Sequence, residues 1–368
     1  MNEQKIKANR LYYDLRSNIL DGTMPEGRML PSESDLIETY GLSRYAVRKV
    51  LSRLTEENLI RKLQGKGCFV CPIPIQSQVA KLSRQILLIA SRAEQFYFLK
   101  SINGIERALQ NSGFSLTIKL SNYNAEQEAV LLKEAFRDHY AGLLIFPSDS
   151  AFIHTNLYLY KYLEEQQIPC ILMGNRVPFV NLPYVLADDY LGGNLAANYF
   201  LQKGHTSFAC IMNREEYSGC MRYAGFVGAL NSHESGYKRQ TIFWFGHSEQ
   251  ESIFTKRESE LLQLADSTTA FFCFNDSCAV NLYQLLVKHG IRVPQDASII
   301  GYDDSYISET NDVPLTTLHQ DPEKAGFAAA TNLIHLIHDR TYPCNKVFLP
   351  YLVERSSVAD RTVPEEKA

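Results

Sequence analysis

The sequence predicts an α/β protein in two parts, a small helical head that ends in a β-hairpin and a large body of doubly wound parallel sheets. Three observations predict it. Six short, continuously apolar runs punctuate the chain beyond residue 84: Ile86–Ala90, Gly142–Phe146, Cys170–Met173, Phe208–Met212, Ala270–Phe274 and Ser298–Tyr302. Apolarity that continues rather than alternates means burial on both faces, as in parallel strands. Amphipathic stretches lie between the runs, such as 99–112 with Ile102, Ile105 and Leu109 on one face, and 279–288 with Leu282, Leu285 and Leu286. Strand–helix alternation of this kind builds doubly wound sheets. Finally, Pro72-Ile73-Pro74 opens an aperiodic stretch, read as a linker over 72–83 with a short helix at 77–82. The expected domains are therefore a head over 1–71, the linker, a body over 84–360 and a tail over 361–368. The body is long for a single domain and is expected to divide into two lobes near residue 187.

Composition narrows the classes. The 368 residues are 45% hydrophobic and 21% charged, an ordinary globular mix that excludes disorder as the main state. No apolar run approaches the ~18–20 residues of a membrane span, so no membrane partner is expected. The polar start, Met1 to Lys5, has no signal-peptide core, so a cytoplasmic location and reduced cysteines are expected. The net charge of −4 hides an asymmetry. Residues 1–71 hold twelve Lys/Arg against nine Asp/Glu, a net of +3, and the remainder is −7. A basic head on an acidic body fits a nucleic-acid partner for the head, and it equally fits an uneven solvated surface.

The head reads element by element. Leu11, Leu15 and Ile19, with Tyr12 alongside, form one face of a first helix over 9–21, closed by Gly22. Ser32-Glu33-Ser34-Asp35 reads as a capping box that opens a short helix ending at Tyr40 and Gly41. Ser43 opens a third helix whose apolar stripe is Val47, Val50, Leu51 and Leu54. Arg44 and Arg48 lie four apart on its other side with Tyr45 beside them, and like charges at that spacing repel unless something outside, such as phosphate or a guanine edge, relieves them. The two-residue link Gly41-Leu42 gives helix-turn-helix geometry with the arginines on the second helix. Leu59–Leu63, Gln64-Gly65-Lys66-Gly67 and Cys68–Val70 then make a hairpin with a basic tip, slim enough for a minor groove.

These residues resemble the winged-helix domain of the GntR family. The resemblance runs through Gly22–Glu33, Gly41-Leu42-Ser43-Arg44, Val47-Arg48, Leu54, Leu59 and Gly65–Val70. It implies that Arg44 and Arg48 face the major groove of operator DNA and that the Gly-Lys-Gly tip enters the minor groove. The candidate DNA-contacting set is Ser32, Ser43, Arg44, Tyr45, Arg48 and Lys49, with Gln64, Gly65, Lys66 and Gly67 at the tip. Where the family often has Arg, this chain has Ser34, which removes a DNA contact.

In the body, polar residues gather at strand ends, where α/β folds place ligands. Glu94, Phe96, Tyr97 and Phe98 follow the first run, Arg222 opens a helix with Tyr223, Phe226 and Leu230, and Asn275 and Asp303 end two later runs. Carboxylate, amide and guanidinium together suit a ligand with many hydroxyls, each of which needs a donor and an acceptor. Trp244, the single tryptophan, is either a ring for a sugar face or a core residue between Phe243 and Phe245.

The ordered set Gly192–Ala197, Gly204-His205, Arg222–Phe226, Phe274-Asn275-Asp276, Gly290–Asp296, Gly301–Asp304, Pro314–Leu318, Gly326 and Val353–Ser357 resembles the effector domain of the lac-repressor family. The resemblance implies a type I periplasmic-binding-protein-like fold with two lobes, three crossovers and a ligand in the cleft. It carries ligand-binding roles to Arg222, Asn275 and Asp303, and more loosely to Gln320. The candidate effector set is Glu94, Tyr97, Phe98, Arg222, Trp244, Asn275, Asp303 and Gln320. The pairing of such a head and body is similar to the L-arabinose-responsive repressors of Gram-positive bacteria.

Other signals are weaker. Cys68 and Cys71 have metal-ligand spacing, but a strand points them to opposite faces and no second pair exists. His335 and His338 share a helix face without a third ligand. Gly192-Gly193 reads as a helix start packed closely on its strand. Asp303-Asp304 has the form of a glycosidase pair, but neighbours at a strand end point apart, giving one ligand carboxylate and one structural acid. The expected function is a homodimeric, sugar-released transcriptional repressor that uses no cofactor and is not an enzyme. The rival is a sugar-binding protein without a DNA role.

Overall fold

The structure, a computed structural model, describes residues 3–20, 23–57, 59–63, 67–71, 84–91, 96–138, 140–148, 150–151, 154–233, 239–250 and 252–362. Two units separate, Met1–Leu82 and Ser83–Ala368. The head runs α1 (Glu3–Leu20), α2 (Glu33–Tyr40), α3 (Arg44–Glu56), β1 (Ile60–Leu63) and β2 (Gly67–Val70). Its core is the predicted stripe of Leu11, Leu15 and Ile19 against Val47, Val50, Leu51 and Leu54. The capping box is reciprocal: the Ser32 hydroxyl accepts from the Asp35 backbone and the Asp35 carboxylate accepts from the Ser32 backbone. Gly41 takes the left-handed conformation, φ +59°, that ends α2. The hairpin pairs Leu63 with Gly67 and Ile60 with Val70. A third segment joins it that the sequence did not reveal. Leu30 N–H donates to Cys68 O and Val70 N–H to Arg28 O, so 28–30 borders the outer edge of β2.

The body follows as β3 (Gln85–Ala90), α4 (Phe96–Leu109), β4 (Ser115–Leu120), α5 (Ala125–Arg137), β5 (Gly142–Ile145), α6 (Leu157–Glu165), β6 (Cys170–Met173) and β7 (Tyr184–Ala187). Then come α7 (Asp189–Gln202), β8 (Ser207–Asn213), α8 (Tyr217–Ser232), β9 (Arg239–Phe245), α9 (Ile253–Lys256), α10 (Glu258–Ala265), β10 (Ala270–Cys273) and α11 (Asp276–Lys288). The chain closes with β11 (Ser298–Asp303), α12 (Tyr306–Glu309), β12 (Thr316–His319), α13 (Pro322–His338), β13 (Lys346–Phe348) and β14 (Tyr351–Val353). Two six-stranded sheets result, ordered β13-β7-β6-β5-β3-β4 and β14-β12-β11-β10-β8-β9. Every pairing is parallel except β12 with β14. The chain passes between the sheets three times, after β7, after β12 and after β13. Apart from antiparallel β14, the strands present their carboxyl ends to the other lobe, which is where a parallel sheet offers loops to a ligand.

All six apolar runs are strands. The strands absent from the sequence reading, among them β4 and β12–β14, are edge or near-edge strands, and β4 has no fully buried residue to give it a continuous apolar signal. Gly192 and Gly193 lie in the first turns of α7, where Gly192 serves the expected helix–strand contact with β11 and Gly193 a helix–helix contact with α8. A Cβ on Gly193 would collide with the carbonyl of Arg222 on α8, and one on Gly192 with the Tyr302 ring.

Candidate functional site

In the head, Ser32 and Ser43 cap α2 and α3, each hydroxyl accepting a backbone N–H three residues on. Arg44, Tyr45, Arg48 and Lys49 project from the first turns of α3 into solvent, with Tyr45 77% exposed. A tyrosine that exposed has no packing role in the head, which leaves it free for a partner. Arg48 Nε lies 3.0 Å from Glu33 Oε2, and Lys62 of the hairpin lies 3.6 Å from Oε1 of the same carboxylate. The Arg48 hydrogen bond and the nearby Lys62 charge hold Glu33 below the usual carboxylate range. The arginine repulsion is thus relieved from within by Glu33, not only by an outside partner. Among the described residues Arg44 and Lys49 make no ion pair. Gly67 begins β2 at φ +107°; Gln64, Gly65 and Lys66 lie outside the described residues.

In the body, one cleft between the two sheets gathers most of the predicted polar groups. One lobe supplies Ser91, Tyr97, Tyr123, Phe146, Gly174 and Asn175. The other supplies Asp189, Glu216, Ser218, Arg222, Phe274, Asn275 and Asp303, and Gln320 sits at the second crossover. The glycines of α7 let α7 and α8 approach closely, so Asp189 Oδ1 accepts from Arg222 Nε at 2.8 Å. The guanidinium also donates to the carbonyl of Phe274 and lies 3.6 Å from the centroid of the Tyr302 ring. Burial opposes the Arg222 charge, but Asp189, Tyr302 and Asp303 hold its pKa above the ordinary value.

Asn275 caps α11, its Oδ1 accepting from Cys278 N–H at 2.9 Å, which leaves its NH₂ as the group for the cleft. Asp303 ends β11 with φ +108° and accepts from Gln320 Nε2 at 2.6 Å. A non-glycine residue in that region is strained, and such strain clusters at functional sites. Burial pushes the Asp303 carboxyl up to about 7, opposed by Arg222. Its neighbour Asp304 takes the other role, accepting from Arg355 at 2.6 Å and His319 at 2.8 Å. Asp276 is structural too, fastening the turn after β11 through Thr317 and Ser305.

The cleft therefore brings together Tyr97, Arg222, Asn275, Asp303 and Gln320 from the predicted set. Three corrections follow. Trp244 lies on edge strand β9, packed edge-on against Tyr223 with centroids 5.2 Å apart, and does not line the cleft. Phe98 is buried in the lobe core behind Phe146, because its side of α4 faces the sheet. Arg222 lies in the second turn of α8, not at its start, because α8 begins at Tyr217. Glu94 falls outside the described residues. Sequence reasoning missed Tyr123, Phe146, Asn175, Asp189, Glu216 and Phe274. Each of them falls within three residues of a strand's carboxyl end, so reading every such end rather than only the most polar ones would have found them.

Comparison with known proteins places both parts. Residues 7–70 match the bacterial regulatory proteins of the gntR family, and residues 197–358 match the periplasmic binding protein-like domain. The arabinose metabolism transcriptional repressor of Halalkalibacterium halodurans is 30% identical over 366 residues, covering 96% of this chain and 97% of that protein. The repressor of the same description from Geobacillus stearothermophilus is 28% identical over 358 residues, covering 96% and 98%. Among solved structures, a periplasmic binding protein/LacI transcriptional regulator from Alkaliphilus metalliredigens complexed with D-xylulofuranose superposes with a TM-score of 0.66. It is 23% identical and covers 75% of this chain and 99% of that one, a likeness of fold.

Proposed function

The chain belongs to the family of the arabinose metabolism transcriptional repressors and is a sugar-responsive repressor, and from that premise we propose that its effector is L-arabinose or a closely related monosaccharide held in the cleft. One observation carries the reading. A buried guanidinium, an amide NH₂ and a carboxylate from three separate elements converge on a cleft whose other wall carries the aromatic rings of Tyr97, Tyr123 and Phe146. Arg222 and Asn275 donate to sugar oxygens, Asp303 accepts from a hydroxyl, and Tyr97 and Phe146 cover the C–H face of the ring. Asp189 and Tyr302 hold Arg222 in one pose before the sugar arrives.

The head contacts operator DNA through Arg44, Tyr45, Arg48 and Lys49 on α3 and through the hairpin tip at 64–67. Ser32 and Ser43 offer backbone and hydroxyl groups at helix starts. The protein acts as a cytoplasmic homodimer whose heads read half-sites about one helical turn apart, and a filled cleft weakens that grip. No helix among the described residues is long and apolar enough to cross a membrane. A thermal-shift screen of pentoses, hexoses and uronic acids tests the reading, since a ligand of the native state raises the melting temperature. L-arabinose or a near relative is expected to give the largest rise; no rise with any monosaccharide contradicts the proposal.

A further inference from the structure

We infer that Tyr123, His247 and Glu216 form a clamp across the two lobes that completes the effector site, with Glu216 as a further hydroxyl-accepting residue and the Tyr123–His247 stack as the closure that positions it. The inference rests on the sugar reading of the cleft. Tyr123 belongs to the first lobe and His247 to the second, yet their rings stack with centroids 3.8 Å apart and planes 18° from parallel. Tyr123 also lines the cleft. It reaches across from a turn in which two consecutive non-glycine residues, Asn122 and Tyr123, hold positive φ of 52° and 56°. An aromatic residue in the left-handed region is strained, and such strain persists where the surroundings impose it for a purpose.

His247 is fixed from below. Asn213 Oδ1 accepts from Glu215 N–H at 2.9 Å, so the Asn213 NH₂ is the group that faces His247 Nδ1 at 3.2 Å. Nδ1 is then the acceptor and Nε2 carries the proton. That Nε2–H is buried without a hydrogen-bond partner among the described residues. Glu216 lines the cleft beside it, with Oε1 3.7 Å from His247 Nδ1 and Oε2 accepting from Ser218 at 3.2 Å. Oε1 makes no hydrogen bond among the described residues, so it is available to a ligand hydroxyl. The same turn meets the first lobe three times more, through Ser218 N–H to Asn175 Oδ1 at 3.0 Å, Tyr217 N–H to Ser150 Oγ at 3.2 Å and Ala151 N–H to Glu215 O at 3.2 Å.

Calorimetric titration of L-arabinose into the full chain tests this. Wild type must bind; if it does not, the sugar reading itself has failed. Where it does, Tyr123→Ala and His247→Ala are each expected to weaken binding about five- to tenfold, the worth of an aromatic pair. The double variant is expected to be no weaker than the worse single, and Tyr123→Phe, which keeps the ring, to stay within about twofold of wild type. Glu216→Gln is expected to weaken binding about tenfold, as for a hydrogen bond to a charged group. A double variant whose loss is the product of the two singles, or a Tyr123→Phe variant as weak as Tyr123→Ala, overturns the clamp.

Discussion

Two arginine–carboxylate pairs, one in each unit, have nearly the same geometry and different surroundings. Arg222 and Asp189 meet at 2.8 Å with side chains 6% and 5% exposed. Arg48 and Glu33 meet at 3.0 Å with side chains 59% and 25% exposed. The buried pair is locked, since separating its partners strands a charge away from water. The exposed pair is exchangeable, since water stabilises either partner alone and the net attraction is small. The comparison teaches that the same two residue types can build a rigid receptor or hold a cation loosely in reserve. Burial decides which.

The largest expected effect breaks the buried pair. Arg222→Ala leaves Asp189 buried and uncompensated and is expected to lower stability by ~3–5 kcal/mol in denaturant melts. In gel shifts it is expected to keep operator binding and lose release by sugar. Release at an unchanged sugar concentration removes Arg222 from the effector site.

Asp303→Asn comes next. It is expected to weaken sugar binding by roughly tenfold or more, the loss of a hydrogen bond to a charged group worth ~1.5–3 kcal/mol. It also carries a pH signature. Burial holds the Asp303 carboxyl up to about 7, and the ionised form accepts from a hydroxyl more strongly than the protonated form. Sugar affinity of the wild type is therefore expected to rise between about pH 5 and 7, and the Asn variant to lack that rise. Stability without sugar runs the other way. The unfolded side chain releases its proton near pH ~3.9 while the folded one keeps it to about 7, so Asp303 lowers stability as pH climbs through that window. Affinity that is flat with pH in the wild type contradicts acceptance by the ionised carboxylate.

The exposed pair gives the smaller effects. Arg48→Ala is expected to leave stability within ~1 kcal/mol and to lower the salt slope of operator binding by about one; an unchanged slope takes Arg48 off the DNA. Glu33→Gln frees Arg48 and Lys62 together and is expected to tighten operator binding by less than about fivefold, the worth of a surface pair. A much larger gain would show that the head's pair is not exchangeable after all.

The two pairs also show what a sequence makes legible. The central strands and the head's helices were readable because continuous apolar runs and capped amphipathic turns are local signals. Asn275 and Asp303 were readable as cleft-lining residues because each ends an apolar run, and Arg222 because it stands in the Arg222–Phe226 motif. Their partners were not. Asp189 reaches Arg222 only because glycines bring α7 against α8, and Glu33 reaches Arg48 across a turn between helices. Trp244 misled because a lone tryptophan among aromatics reads the same on an edge strand as beside a ligand. Tyr123 and His247 lie 124 positions apart in the sequence and meet only when the lobes face each other.

The central claim is that sugar and operator compete through one protein, and reciprocity tests it most directly. L-arabinose is titrated calorimetrically into the free protein and into its operator complex, beside operator titrations with and without saturating sugar. The account predicts that operator weakens sugar binding by the same factor by which sugar weakens operator binding. Equal sugar affinity in the free and operator-bound protein would contradict it.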